Sequence, residues 1–235
     1  MKKFRPRSII LGIGIAVIVP LICYFILRSA GHTGHVAVPG NYGMDTVIET
    51  VVDGQKQYDT VYHTMQDNHF ISHLGDSINL AKDFNGKILI INFFNSFDEP
   101  NSEKLSYHMS HIQKGFQSKK TDTAIQLISI STGHPEENIQ SIREYADSKT
   151  HNHDSWTFLL SSQAYANEFA SNELFPDRTV SIEKYHPLKQ IILIDKFRNI
   201  RGYYNGLDSM EIKRCIDDVA FMMVEKNKIH ERKRR

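Results

Sequence analysis

Two cysteines and twelve histidines are the residues of this 235-residue chain best able to hold a metal or run redox chemistry, and their placement decides what they can do. Cys23 lies in an uncharged apolar run near the N-terminus. Cys215 lies in a segment where Ile212, Ile216, Val219 and Met223 recur at helical spacing. Each reads as a small apolar residue packed among others, because free cysteine is among the most buried residue types. A single thiol beyond the apolar run cannot form an internal disulfide or sustain a dithiol cycle. A thiol would be most reactive in a loop at a helix N-terminus, where the dipole lowers its pKa. Such a loop, NSFDEPNS at 95–102, lies between a buried-strand pattern at 87–94 (KILIINFF) and a helix beginning near Glu103, and it contains no cysteine.

The histidines do not replace the thiols. His108 and His111 stand on adjacent turns of one expected helix, but His108 falls between Leu105 and Ile112 on the apolar stripe, which favours core packing over a metal pair. His151 and His153 occupy the polar stretch 149–154 and read as surface residues. His32 and His35 lie in a linker where no carboxylate or thiol completes a ligand set. Asp98 and Glu99 are adjacent acids without a partner base and read as a solvated turn. The chain has no phosphate-binding loop, no G-x-S-x-G and no H-E-x-x-H.

The elements that must position these residues begin with an anchor. Residues 8–28 are uncharged until Arg28, and about twenty apolar residues suffice to cross a hydrocarbon core. The stretch after it offers a poor cleavage site, so a retained transmembrane helix is expected rather than a removed signal peptide. Lys2, Lys3, Arg5 and Arg7 precede the span and Arg28 follows it, so residues 1–7 are expected in the cytoplasm and the remainder on the far side, periplasmic in a Gram-negative cell. Residues 29–58 read as a linker in composition, and 59–230 as one α/β domain. A formal net charge of +1 with no basic face argues against nucleic-acid binding. Strands at 84–94, 124–131, 190–195 and 200–204, with helices at 102–116, 135–149 and from 208, predict a central mixed sheet with helices on both faces. The last helix carries a D-x-x-E capping-box pattern at Asp208 and Glu211.

One family resemblance covers most of 40–225. Its pieces are DTVYHT at 59–64, HFISH at 69–73, FNGK at 84–87, the strand at 125–131, HPEENIQSIREY at 134–145, WTFLL at 156–160, and IILID at 191–195 running into IRGYYNG at 200–206. In content and order these resemble the Sco (SenC) family, membrane-anchored thioredoxin-like proteins associated with copper delivery to cytochrome oxidase. The resemblance implies a thioredoxin-like fold, an inner-membrane location and a partner such as an oxidase subunit. It also implies a C-x-x-x-C-P motif in the loop after the strand. The register puts Phe97 and Asn101 at the cysteine positions and Ser102 at the proline, so all three motif positions depart from the pattern. A histidine ahead of the hairpin strand completes the family's copper site, and His186 is its counterpart, set one residue farther from Asp195 than the pattern expects. Pro187 could absorb that offset as a bulge. Soft thiolates with imidazole suit Cu(I), whereas imidazole with oxygen does not. The expectation is therefore a non-redox accessory or binding factor in oxidase or copper-site assembly, without a catalytic residue or resident cofactor. The alternatives are a copper chaperone with a histidine site around His186, and a thiol-disulfide oxidoreductase, which the missing cysteine pair disfavours.

Overall fold

The computed structural model describes residues 16–25, 39–52, 55–95, 100–117, 123–135, 137–176 and 187–224. The chain divides into two compact units, Met1–Ala37 and Val38–Arg235. In the first unit the described residues form one helix, α1 (16–25), exposed along its whole length. The remainder of the expected span lies outside the described residues, and among the described residues no helix is long and apolar enough to cross a membrane.

The second unit is built on a seven-stranded sheet in the order β4-β3-β7-β6-β5-β8-β9. Its strands are β3 (His69–Ser72), β4 (Ser77–Asn79), β5 (Ile88–Phe94), β6 (Ile125–Ser131), β7 (Trp156–Leu160), β8 (Gln190–Ile194) and β9 (Ile200–Asn205). Every residue of β5, β6 and β8 is buried, as expected of continuous apolar runs in the middle of a covered sheet. β6 lies parallel to both β5 and β7, while β3, β4, β8 and β9 pair antiparallel to their neighbours. The helices are α2 (Leu80–Asp83), α3 (Asn101–Phe116), α4 (Ile139–Lys149), α5 (Gln163–Phe169) and α6 (Ser209–Val224). The strand alternation of β5 divides the core. Ile88, Ile90 and Phe94 pack with Leu105, Met109 and Ile112 of α3, Ile142 of α4 and Ile212, Cys215 and Val219 of α6. Leu89, Ile91 and Phe93 face Leu80 of α2 and Ala166 and Phe169 of α5 on the other side. The mixed sheet with helices on both faces is thus present.

Details depart from the sequence-based expectation where local polar groups decide. Helix α4 starts at Ile139 rather than near 135, because Asn138 caps it, accepting the Ser141 amide at 3.0 Å while its own amide is taken by Ser141 Oγ at 2.9 Å. At α6, Asp208 accepts the Met210 amide at 2.9 Å and Glu211 turns to Arg214 at 2.8 Å, so the anticipated reciprocal cap does not form. The stretch 29–58, read as a linker, contains β1 (Met44–Val52) and the first residues of β2 (Gln55–Tyr62), an antiparallel ribbon separate from the main sheet. Val47, Ile48, Val51 and Tyr58 are 48–64% exposed on it, and since Val47 and Ile48 are consecutive, both its faces are open.

Candidate functional site

The loop expected to carry chemistry leaves the sheet at Phe94 and re-enters regular structure at α3. At its neck the Asn95 amide donates to Ser102 Oγ at 3.1 Å, and Ser102 is 4% exposed. The Ser102 hydroxyl therefore joins the strand end to the first turn of the helix. Pro100 precedes α3 with no side-chain cap, and its carbonyl accepts the Lys104 amide at 3.1 Å. Asn101, the first helical residue, is half-buried. Phe97, Asp98 and Glu99 lie outside the described residues, as does His186.

Tyr145 of α4 supports the neck from behind. Its ring stacks on Phe94 at 4.7 Å and 10°. Its hydroxyl lies 2.8 Å from Ser106 Oγ and donates to the Ser102 carbonyl at 3.4 Å. Lys149 covers the outer face of the ring at 4.7 Å and pairs with Glu103. Two residues before the end of β5, Asn92 Oδ1 accepts Ser129 Oγ at 2.6 Å, and Trp156 Nε1 donates to the same Ser129 oxygen at 2.9 Å. All three side chains are at most 1% exposed. Sequence reasoning missed this chain. A polar residue in an otherwise apolar strand run (Asn92 in ILIINFF, Ser129 in IQLISIS) was its signal.

The turn Pro187–Lys189 packs against both β5 and α3. The Lys189 carbonyl accepts the Gly206 amide at 2.7 Å, and the Gly206 carbonyl accepts His108 Nδ1–H at 2.6 Å. A Cβ on Gly206 would come within 2.0 Å of the Leu105 side-chain tip, which would have to shift to admit it. The elements that border Phe97 and His186 thus pack together. His108 is buried as a structural donor, whereas His111 is exposed. The two do not share a face available to a metal.

Cys23 and Cys215 are both free. Cys215 is fully buried in α6, and burial with Asp218 nearby pushes its thiol far above the usual range, which makes it a poor nucleophile. Among the described residues no group of three or more His, Cys, Asp or Glu side chains is placed to hold a metal ion. The described donors beside the loop, Asn101 and Ser102, are hard oxygens, and the Ser102 hydroxyl is already engaged. They do not fit Cu(I). His151 is exposed as expected, but His153 is not a simple surface residue, because it faces the buried His73 at 3.1 Å.

No family model matches this sequence, and no curated protein matches it. Solved structures do resemble it. A SCO1/SenC family lipoprotein from Bacillus anthracis aligns with a TM-score of 0.58 at 16% identity, over 68% of this chain and 95% of that one. BsSco, a member of the Sco family of cytochrome c oxidase assembly proteins, aligns with a TM-score of 0.57 at 20% identity, over 70% and 95%. Yeast Sco1 with copper bound aligns with a TM-score of 0.53 at 14% identity, over 71% and 96%. At these identities the likeness is one of fold, and the fold that the sequence pieces pointed to is the one its structural neighbours share: the thioredoxin-like fold of Sco proteins.

Proposed function

We propose that this chain is a membrane-tethered Sco-like protein that has exchanged redox and copper chemistry for binding, acting as an accessory factor that engages a partner protein during assembly of a respiratory oxidase or its copper site. The observation that carries this reading is the neck of the 95–102 loop. Ser102 closes it onto Asn95 and Tyr145 backs it, so the platform on which Sco-type chemistry would sit is built while its thiols are missing. The uncharged run at 8–28 and the basic residues before it support anchoring in the inner membrane with the second unit in the periplasm. The only thiol of the second unit, Cys215, is buried, which argues against a thiol-disulfide enzyme.

A second reading, a copper chaperone that uses His186, is favoured by one observation: Pro187–Lys189 packs against the strand and helix that border the loop. Competition between the full-length chain and a strong Cu(I) chelator separates the two. The wild-type chain is expected to retain no stoichiometric copper. The double variant Phe97→Cys/Asn101→Cys should gain it, because two thiolates would then join the imidazole on an intact platform. Stoichiometric copper on the wild type that is lost in His186→Ala would replace the accessory reading with the chaperone. Covalent trapping from membranes through a photo-crosslinker at position 97 should capture an oxidase subunit or assembly protein, and capture of neither would remove the partner claim.

A further inference from the structure

We propose that His73, His153 and Asp147 form a proton-operated latch, which fastens the segment between α4 and β7 to the end of strand β3 near neutral pH and releases it on acidification. His73 follows β3 and is 1% exposed. Its backbone amide donates to the Phe158 carbonyl of β7 at 2.8 Å. Its ring Nδ1 lies 3.3 Å from that carbonyl oxygen and 3.4 Å from the Phe158 amide nitrogen. Its Nε2 faces His153 Nδ1 at 3.1 Å, and His153 Nε2 lies 3.0 Å from Asp147 Oδ1. The two rings are tilted by 43° with centroids 4.8 Å apart.

Proton counting fixes what this chain can do. An ionised carboxylate only accepts, so His153 carries a proton on Nε2, and in its neutral form its Nδ1 is an acceptor. His73 must then donate from Nε2 and accept the Phe158 amide on Nδ1. Every group is matched. A first added proton makes His153 an imidazolium whose Nδ1 now donates. His73 answers by changing tautomer, donating Nδ1–H to the Phe158 carbonyl, and the chain survives with the new charge opposite Asp147. A second proton leaves an N–H on each of the facing nitrogens, with two cations in contact and no acceptor between them. That state has no hydrogen-bonded solution, so the rings must part.

The charged groups facing His73 are His153 from the segment and Asp147 and Arg143 from α4, with the Arg143 Nε also donating to the His73 carbonyl at 3.2 Å. Asp76 lies on the same turn, its amide on Ser72 Oγ at 3.2 Å. Burial first, then the charge of His153, holds the His73 ring below the ordinary histidine value, with Asp147 acting in the opposite sense. Because its folded pKa is depressed, His73 contributes stability that is present above about pH 6.5 and lost as pH falls through its folded value.

Hydrogen exchange of the full-length chain at about pH 7.5 and about pH 5, corrected for the intrinsic pH dependence of exchange, tests the latch. Protection of the amides at 72–76 and 150–155 should fall by about tenfold or more, since each pH unit below a coupled pKa changes the opening equilibrium by up to tenfold per proton. Amides of β5 and β6 should keep theirs. His153→Gln, which cannot be charged, should abolish the step. Asp147→Asn, which removes the anion that stabilises the protonated closed form, should move the step to higher pH. A step of unchanged size and midpoint in His153→Gln, or no step in the wild-type chain, overturns the proposal.

Discussion

The turn of the β8–β9 hairpin and the neck of the 95–102 loop lie at opposite ends of strand β5 and are held in different ways. In the hairpin, the Asp195 carboxylate accepts the Phe197 and Asn199 amides at 2.9 Å each and the Arg201 guanidinium at 3.1 Å. Arg201 also donates to the Pro39 carbonyl through Nε at 2.9 Å and Nη2 at 2.6 Å. The two side chains of this ion pair are 6% and 10% exposed. Across the neck the Asn95 amide donates to Ser102 Oγ, and a tyrosine stands behind it. The hairpin geometry depends on the identity of its charged residues. Among the described residues the neck is held by Ser102 and Tyr145.

Replacing charge in the hairpin should break that contrast most severely. Arg201→Met leaves a buried carboxylate without its cation and is expected to cost about 3–5 kcal/mol. Urea denaturation with an unchanged slope would register this as a lower midpoint. A loss below that of the neck variants would mean the clasp is not the stronger support. Ser102→Ala removes the hydroxyl that accepts the half-buried Asn95 amide and should cost about 1–1.5 kcal/mol. Exchange at the Asn95 amide itself is the sharper measurement, because unchanged protection there would show that the hydroxyl does not close the neck. The smallest effect belongs to Tyr145→Phe, which keeps the stack on Phe94 and removes one hydroxyl, for about 0.5–1.5 kcal/mol. If it proves as costly as Arg201→Met, the neck is a network rather than a single bond.

Much of this was readable from residue types, for reasons that differ by element. β5, β6 and β8 are long enough, apolar enough and rich enough in isoleucine to be recognised without neighbours. α3 shows its stripe through Leu105, Met109 and Ile112. The β1–β2 ribbon is hard to read from sequence because an apolar and polar alternation marks a strand only when one face is buried, and here neither is. Its signal was nonetheless present in Asp53-Gly54, the two residues between the strands, a dipeptide that hairpins favour. Ser102 was identified as a departure from a motif. Its bond to Asn95 was not foreseen, since a serine in the first helical turn can satisfy several different donors. The pairing of His73 with His153 was beyond sequence reasoning altogether, because it depends on β3 meeting β7 in antiparallel register, with Ile71 opposite Leu160.

Trp156 is the sole tryptophan of the chain. It opens β7 with its indole fully buried, stacked on Phe158 at 4.8 Å and hydrogen-bonded to Ser129. Its intrinsic fluorescence therefore comes from a single interior position, between the segment at 150–155 and the polar chain that ends at Asn92. Emission at short wavelength reports an intact core. A red shift at low pH without loss of helical circular dichroism would locate the disturbance near the start of β7, and a shift with loss of helix would mark global unfolding. One chromophore can thus separate a local opening from collapse of the whole unit without any label.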